Sequence, residues 1–177
     1  MITCISHVRA TCVFALCLAS STLVMAQEPS AKIVEYGRYT STVSAIEPPA
    51  GTAGGAGVRA KGRTLAKSTT KIPAKLGELF GICVLFSDLP KDRGCTVRKE
   101  MHHPPFQEPN GAIVTNSVDV MRFRAGASSD ECSFFGWSFL EGYEYELVPG
   151  KWTCTIYIDD KEVASMAFEV KKVNGQH

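Results

Sequence analysis

The residues best suited to chemistry in this sequence are two adjacent histidines, His102 and His103, which follow Met101. Imidazole and thioether groups are ligands that copper accepts, so this triplet is the one candidate metal site. Adjacent residues on a β-strand point to opposite faces, however, and the two imidazoles could not readily hold one ion together. We therefore keep His102 and His103 only as weak metal candidates and predict no cofactor.

A catalytic set is equally hard to assemble. The sequence contains neither a Gly-x-Ser-x-Gly nucleophile turn nor a His-Glu-x-x-His zinc helix. A serine-type triad would have to combine His102 or His103 with Asp119 or Asp130, and nothing in the spacing favours that. We predict no catalytic residues and a protein that is not an enzyme, with a small metal- or histidine-dependent envelope enzyme as the alternative.

Basic residues recur at alternate positions in Arg59, Lys61 and Arg63, and Lys67 follows them. Alternation places the first three on one strand face, where they could bind the phosphates of an anionic polymer of the cell envelope. Lysines on an edge strand also discourage one sheet from pairing with another. The stripe therefore predicts either an anion-binding surface or a protected edge.

A third candidate surface combines an acid with aromatic rings. Glu141, Tyr143 and Tyr145 alternate, and Trp137 and Phe139 lie just before them. Aromatic faces beside acids can stack on sugar rings, although the same alternation also places some of these side chains in a core.

The cysteines point to an oxidising compartment. Of seven, three lie in the first 26 residues and four remain: Cys83, Cys95, Cys132 and Cys154. Their spacing contains no Cys-x-x-Cys pair, which favours structural disulfides over a zinc or redox site. Three pairings are possible, and we favour Cys83 with Cys154 and Cys95 with Cys132. Strand alternation argues against the first pair, because Cys83 points away from its apolar neighbours, but a bulge can reset the alternation.

Alternating apolar residues predict strands along nearly the whole chain. The clearest element is a C-terminal hairpin, in which Trp152, Cys154 and Ile156 share a face and a turn follows at 159–161. The run 76–86 also fits a helix, but its two glycines favour a strand. Turns about every ten residues predict an all-β, immunoglobulin-like two-sheet β-sandwich of about 7–9 short antiparallel strands, with an open barrel as the alternative.

The first 26 residues are typical of a secretory signal peptide, with an apolar run at 13–18 and a predicted cut between the small residue Ala26 and Gln27. The rest, 27–177, is predicted to form a single domain, and 51–57 a Gly-rich loop within it. Lys+Arg 19 against Asp+Glu 18 gives no reason to expect nucleic acid as a partner. No apolar run is long enough to predict a transmembrane segment.

Several short motifs occur in order along the chain: Val34-Glu35-Tyr36-Gly37, Ile72-Pro73-Ala74-x-Leu76-Gly77-x-x-Phe80-Gly81, His103-Pro104-Pro105, Gly136-Trp137-x-Phe139 and Leu147-Val148-Pro149-Gly150-x-Trp152-Thr153. Together they resemble the uncharacterised bacterial family called domain of unknown function 3859, over nearly all of the chain after residue 26. The resemblance implies a small exported β-rich protein and no particular activity.

These observations predict an exported, noncatalytic β-sandwich, periplasmic or secreted. Its expected role is that of a binding module for an unknown protein or other component of the bacterial cell envelope. The sequence specifies neither the ligand nor the oligomeric state.

Overall fold

The computed structural model describes residues 28–46, 58–125, 127 and 131–173. The predicted signal peptide, its cleavage point and the predicted Gly-rich loop at 51–57 lie outside these residues. Within them, no helix has the length and apolar character needed to cross a membrane.

The described residues form nine strands and one short 3-10 helix. The strands are β1 (Ser30–Ile46), β2 (Val58–Lys67), β3 (Lys71–Ala74), β4 (Leu79–Ser87), β5 (Cys95–Gln107), β6 (Ile113–Phe123), β7 (Ser133–Ser138), β8 (Gly150–Ile158) and β9 (Lys161–Lys172), and the helix is Glu144–Glu146. They form a four-stranded sheet in the order β2-β1-β4-β7 and a five-stranded sheet in the order β3-β9-β8-β5-β6. The predicted two-sheet β-sandwich is confirmed.

Strand alternation explains how the two sheets pack. On β4, Phe80, Ile82, Val84 and Phe86 point inward and are buried, so the segment that was ambiguous between helix and strand is a strand. Phe80 meets Trp152 of β8 edge-on at 5.9 Å between ring centroids, and meets other rings of the core. The core is therefore an aromatic layer between the sheets.

The C-terminal hairpin joins β8 to β9 by a two-residue turn. Asp159 and Asp160 have φ angles of 45° and 67°, the left-handed conformation that a tight hairpin turn requires. The Asp159 carboxylate accepts a hydrogen bond from the Thr96 N–H at 2.9 Å, which ties the turn to the start of β5. The predicted turn at 159–161 is thus present and anchored.

Three details differ from the predicted antiparallel arrangement. Strand β3 was not anticipated, and it pairs parallel to β9 because it follows a crossover between the sheets. Strand β5 continues through Pro104 and Pro105 by a register shift between His102 and Phe106. The segment around Tyr145, where the alternation of Glu141, Tyr143 and Tyr145 is typical of a strand, is a 3-10 helix.

Contacts between the sheets show which strands face each other. Strand β7 lies over β5, as shown by the hydrogen bond of 3.5 Å that Lys99 of β5 donates to the Gly136 carbonyl of β7. Strand β6 follows β5 at the end of its sheet, and its Phe123 meets Phe86 of β4 at 5.5 Å between ring centroids.

Candidate functional site

The outer face of the four-stranded sheet carries an apolar cluster separate from the core. It consists of Tyr39, Leu79, Leu65 and Phe134. The Tyr39 and Phe134 rings meet edge-on at 4.8 Å, and the Arg63 guanidinium lies over the Phe134 ring at 4.6 Å. We call these five residues the outer-face cluster.

Two glycines in a row of three make room for the outer-face cluster, and the third, Gly37, makes room for the backbone of Lys67. Gly37, Gly81 and Gly136 are direct neighbours on β1, β4 and β7. A Cβ atom on Gly81 would lie 2.9 Å from the Phe134 Cζ, and one on Gly136 would lie 2.5 Å from it. The Phe134 ring therefore lies against the sheet backbone, where a side chain at either glycine would displace it.

The Tyr39 hydroxyl is buried, and no hydrogen-bond partner for it is found in the described part of the chain. Burial, together with the nearby Glu35 carboxylate, raises the pKa of Tyr39 to about 12, against the smaller opposite effect of Arg63. The phenol stays protonated at neutral pH and keeps its capacity to donate a hydrogen bond.

A cleft of about 470 Å³ opens beside the outer-face cluster. It is lined by β1, by the start of β4 with the turn before it, and by the end of β7 with the segment after it. The lining residues are Tyr39, Thr40, Ser41, Leu76, Gly77, Leu79, Ser138, Phe139, Leu140 and Glu141. Hydrogen bonds from the Gly77 N–H to the Phe139 carbonyl (2.7 Å) and from the Phe139 N–H to the Glu78 carbonyl (3.0 Å) join the two loops. Two of the motifs noted in the sequence, around Leu76-Gly77 and Gly136-Trp137, thus meet at this cleft.

The chemistry of the cleft is mostly neutral. Leucine side chains supply apolar walls, serine and threonine supply hydroxyls, and Glu141 at the exposed rim is the charged member of the lining. A ligand suited to this surface has apolar groups together with hydrogen-bonding groups and little negative charge.

In the structure, the residues of the predicted sugar-stacking surface do not form one surface. Glu141 lines the cleft, but Tyr143 and Tyr145 contact each other, and Tyr145 contacts Phe106 at 5.7 Å. Trp137 and Phe139 are buried in the core. Their faces are not available as an open platform for a sugar ring.

The two histidines lie on opposite sides of β5, as the sequence predicts. His102 is exposed, and its Nε2 lies 3.1 Å from Glu100. His103 is buried between Phe106, at a ring distance of 4.4 Å, and Trp152, at 4.8 Å. No group of three or more His, Cys, Asp or Glu residues with metal-site spacing occurs in the described ranges.

His103 and Glu146 are the buried titratable pair beside Trp137. The His103 Nδ1–H donates to the Pro104 carbonyl at 2.9 Å, so its Nε2 carries a lone pair. Glu146 accepts a hydrogen bond of 3.0 Å from the Trp137 indole. Neither the His103 Nε2 nor the Glu146 Oε1 has a partner among the described residues. Burial raises the pKa of Glu146 to about 7 and lowers the pKa of His103, so the buried environment favours the neutral form of each group.

Asp119, considered above as a triad partner, lies elsewhere. It forms an ion pair with Lys99 on the neighbouring strand, where the two residues are in register. The structure therefore does not bring Asp119 together with His102 or His103, and Asp130 lies outside the described residues.

The basic stripe follows strand β2 at the edge of its sheet. Register places Arg59, Lys61 and Arg63 opposite alternate residues of β1, and Lys67 opposite Arg38. The Arg63 guanidinium packs on Phe134, and burial lowers its pKa. Arg63 is therefore part of the outer-face cluster, and its side chain remains exposed at the surface.

The predicted disulfide pairing is wrong. Cys83 bonds to Cys132, with 5.4 Å between their Cα atoms, and Cys95 and Cys154 are buried free thiols. Cys83 points to the outer face of β4 while Cys154 lies in the core, so the alternation argument against their pairing was correct. Cys154 lies opposite Met101, six residues along β5 from Cys95, which separates the two thiols by about 20 Å.

Sequence reasoning missed the outer-face cluster. Its signal is the presence of Gly37, Gly81 and Gly136 inside strands, because a glycine at such a position marks a close approach by another group. Recognising that the three glycines are neighbours requires the strand register, which the sequence does not give.

Comparisons with known proteins identify a similar fold and a family. None of the curated proteins matches the chain. A crystal structure of an immunoglobulin-like protein from Pseudomonas aeruginosa is similar, with a TM-score of 0.59 and 21% identity over 82% of this chain and 98% of that one. This likeness shows the fold, so the sandwich is immunoglobulin-like as predicted. The family model for a domain of unknown function, DUF3859, matches residues 27–170, and the chain therefore belongs to that family.

Proposed function

We propose that this protein is an exported, noncatalytic binding module of the bacterial cell envelope, and that the cleft on its four-stranded sheet binds a polypeptide segment of a partner. The observation that carries the proposal is the cleft itself: an open, mostly neutral groove on a sheet face, beside a buried hydroxyl that has no partner among the described residues. Clefts that combine apolar walls with a few polar groups commonly bind ligands.

The lining favours a polypeptide over the other candidate ligands. Leu76, Leu79 and Leu140 suit aliphatic side chains, while Ser138 and Thr40 suit backbone amide groups. An anionic polymer would find the Glu141 carboxylate at the rim, and a sugar would find no open aromatic face, since Phe139 is buried.

A noncatalytic role is supported by where the candidate catalytic groups lie. His102 is on the outer face of the five-stranded sheet, His103 is in the core, and Asp119 is paired with Lys99. Each has a structural environment that accounts for it, and none of these three residues lines the cleft.

Export is supported by the Cys83–Cys132 disulfide, because disulfides persist in oxidising compartments. The first 26 residues are typical of a signal peptide. The proposed location is therefore the periplasm or the exterior of the cell.

The proposal is tested by filling the cleft. Ser138→Trp places an indole in the groove, and Ala167→Trp is the matched control because Ala167 is an exposed small residue on the outer face of the other sheet. Wild-type protein and both variants are immobilised and exposed to a library of displayed peptides, and the bound sequences are read out.

We expect wild type and Ala167→Trp to enrich the same peptides and Ser138→Trp to lose at least 10-fold in affinity for them. Equal binding by all three proteins would move the site away from the cleft. A reaction product released from a bound peptide would contradict the noncatalytic role.

A further inference from the structure

Charge is distributed unevenly along this chain. The stretch 48–77 contains no acidic residue, and its six basic residues are Arg59, Lys61, Arg63, Lys67, Lys71 and Lys75. Since the whole chain has Lys+Arg 19 against Asp+Glu 18, the remainder has more acidic than basic residues. A protein whose total charge is close to zero therefore has a strongly basic part and an acidic part.

The fold gathers the basic stretch on one side of the sandwich. Strand β2 is an edge of the four-stranded sheet and β3 is an edge of the five-stranded sheet, and only residues 68–70 join them. Packed sheets lie about 10 Å apart, so three residues just suffice to cross from one sheet to the other. The two edges therefore lie on the same side. Four basic residues of the stretch are exposed there: Arg63, Lys67, Lys71 and Lys75.

Strand β9 adds two lysines beside β3. The parallel pairing of these strands places Lys171 opposite Pro73 and Lys172 opposite Ala74, and both lysines are exposed. An open pocket of about 300 Å³ lies at this place. It is lined by Lys71, Ile72, Pro73, Lys171, Lys172 and Val173. The pocket thus combines an apolar floor with three ammonium groups and has no acidic residue in its lining.

Little negative charge compensates these lysines. Glu169 lies opposite Lys71 in register, and its carboxylate is 3.4 Å from the Lys171 ammonium. No ion pair joins an acid to Lys67, Lys71, Lys75 or Lys172 within the described ranges, whereas ion pairs neutralise Arg93, Arg98 and Lys99 elsewhere. Like charges held close together repel one another, so this arrangement favours an anionic partner. We call the following five residues the basic side: Lys67, Lys71, Lys75, Lys171 and Lys172.

Protection of sheet edges accounts for only part of the basic side. Lysine on an edge strand discourages pairing with another sheet, and Lys71 fits that role. Strand β9, however, lies between β3 and β8, so Lys171 and Lys172 have no edge to protect. Strand β3 is in addition only four residues long and contains Pro73, which already protects it.

From this distribution of charge we infer that the basic side docks on a membrane surface, through the phosphate groups of anionic phospholipids. A flat surface meets one side of the molecule, so it attracts the basic side without contacting the acidic remainder. A long soluble polyanion would extend past the lysines and meet that remainder. None of the residues that line the cleft belongs to the basic side, so the inference does not depend on what the cleft binds.

Sedimentation with lipid vesicles tests the docking. One set of vesicles contains phosphatidylglycerol and phosphatidylcholine in equal parts, and the other contains phosphatidylcholine alone. The disrupting variant combines Lys71→Gln with Lys172→Gln. The matched control combines Lys32→Gln with Lys91→Gln, which makes the same change in net charge at exposed positions outside the basic side.

We expect wild type and the control to bind the anionic vesicles and not the neutral ones, with an affinity that falls as salt is added. Each lysine near an anionic surface contributes about a five-fold gain in affinity, so the disrupting variant should bind about 25-fold more weakly. All four positions are exposed, so both variants should unfold at the same urea concentration as wild type.

Three outcomes would overturn the inference. Wild type that stays in solution with anionic vesicles at low salt would exclude a membrane surface. Equal losses in the two double variants would show that net charge acts without the basic side. Displacement of the protein from the vesicles by soluble polyphosphate, at the same concentration of phosphate groups as the lipid, would assign the lysines to a polymer instead.

Discussion

The two sheets of this sandwich are built from similar parts that are used differently. Each carries an arginine over an aromatic ring on its outer face: Arg63 over Phe134 at 4.6 Å on one, and Arg98 over Tyr157 at 4.1 Å on the other. Phe134 belongs to an apolar cluster, whereas Arg98 also pairs with Glu100 and Asp160.

The cysteines differ in the same way. The outer face of the four-stranded sheet is cross-linked by the Cys83–Cys132 disulfide, while the five-stranded sheet holds two free thiols inside. We conclude that the outer face of the four-stranded sheet carries a cross-link and an apolar cluster, whereas that of the five-stranded sheet carries ion pairs.

The largest expected effect comes from removing the Cys83–Cys132 disulfide. Cys83→Ala with Cys132→Ala should lower the free energy of unfolding by about 4 kcal/mol, because the unfolded chain loses a cross-link that closes a long loop. Urea denaturation under oxidising conditions measures this. In reductant, the free energy of unfolding of wild type should fall to that of the double variant. A double variant as stable as oxidised wild type would show that the disulfide does not stabilise the fold.

The buried acid beside β7 should give the next largest effect. The pKa of Glu146 is about 7 when folded, above its ordinary value of 4.5, so the folded state binds the proton more tightly. Stability should therefore fall as pH rises from about 4.5, and level off above about 7 after a loss of about 3 kcal/mol. Glu146→Gln keeps an acceptor for Trp137 without the charge, and should be the more stable protein at pH 8.

Urea denaturation across this pH range compares wild type, Glu146→Gln and the exposed-site control Glu141→Gln. The control should follow wild type. A Glu146→Gln curve parallel to wild type would mean that the carboxyl is ionised and solvated in the folded protein.

The smallest expected effect is the difference in stability between losing Phe134, which lies under Arg63, and losing Tyr157, which lies under Arg98. Phe134→Ala should cost about 2 kcal/mol, because it empties the space over Gly81 and Gly136, while Tyr157→Ala should cost about 1 kcal/mol. Urea denaturation at low and high salt measures both. High salt should screen the ion pairs of Arg98 and should leave the cost of Phe134→Ala unchanged. Equal costs for the two variants would contradict the distinction between the two outer faces.

The parts of the fold that follow from the alternation of apolar residues within one strand could be predicted from the sequence. The inward set of β4, the Trp152 strand and the Asp159–Asp160 turn follow from residue spacing within one segment. Strand β3 was not predictable, since four residues with Pro73 give little signal and its partner β9 lies about a hundred residues away. The disulfide depended on register in the same way: the alternation of Cys83 was informative, but only the pairing of β4 with β7 brings Cys132 beside it.

The candidate site was less predictable than the fold. Arg63 was noted for its charge, and Glu141 for its neighbours, yet the cleft depends on Tyr39, Leu79 and Ser138, which come from three separate strands. The cleft therefore depends on strand order, which local sequence patterns do not contain.

Peptide binding by wild type and by Ser138→Trp tests most directly whether the outer face of the four-stranded sheet is the functional one, with Ala167→Trp on the other sheet as the control. The account predicts that only Ser138→Trp loses affinity, by at least 10-fold. Equal losses in the two variants, or no loss in Ser138→Trp, would contradict it.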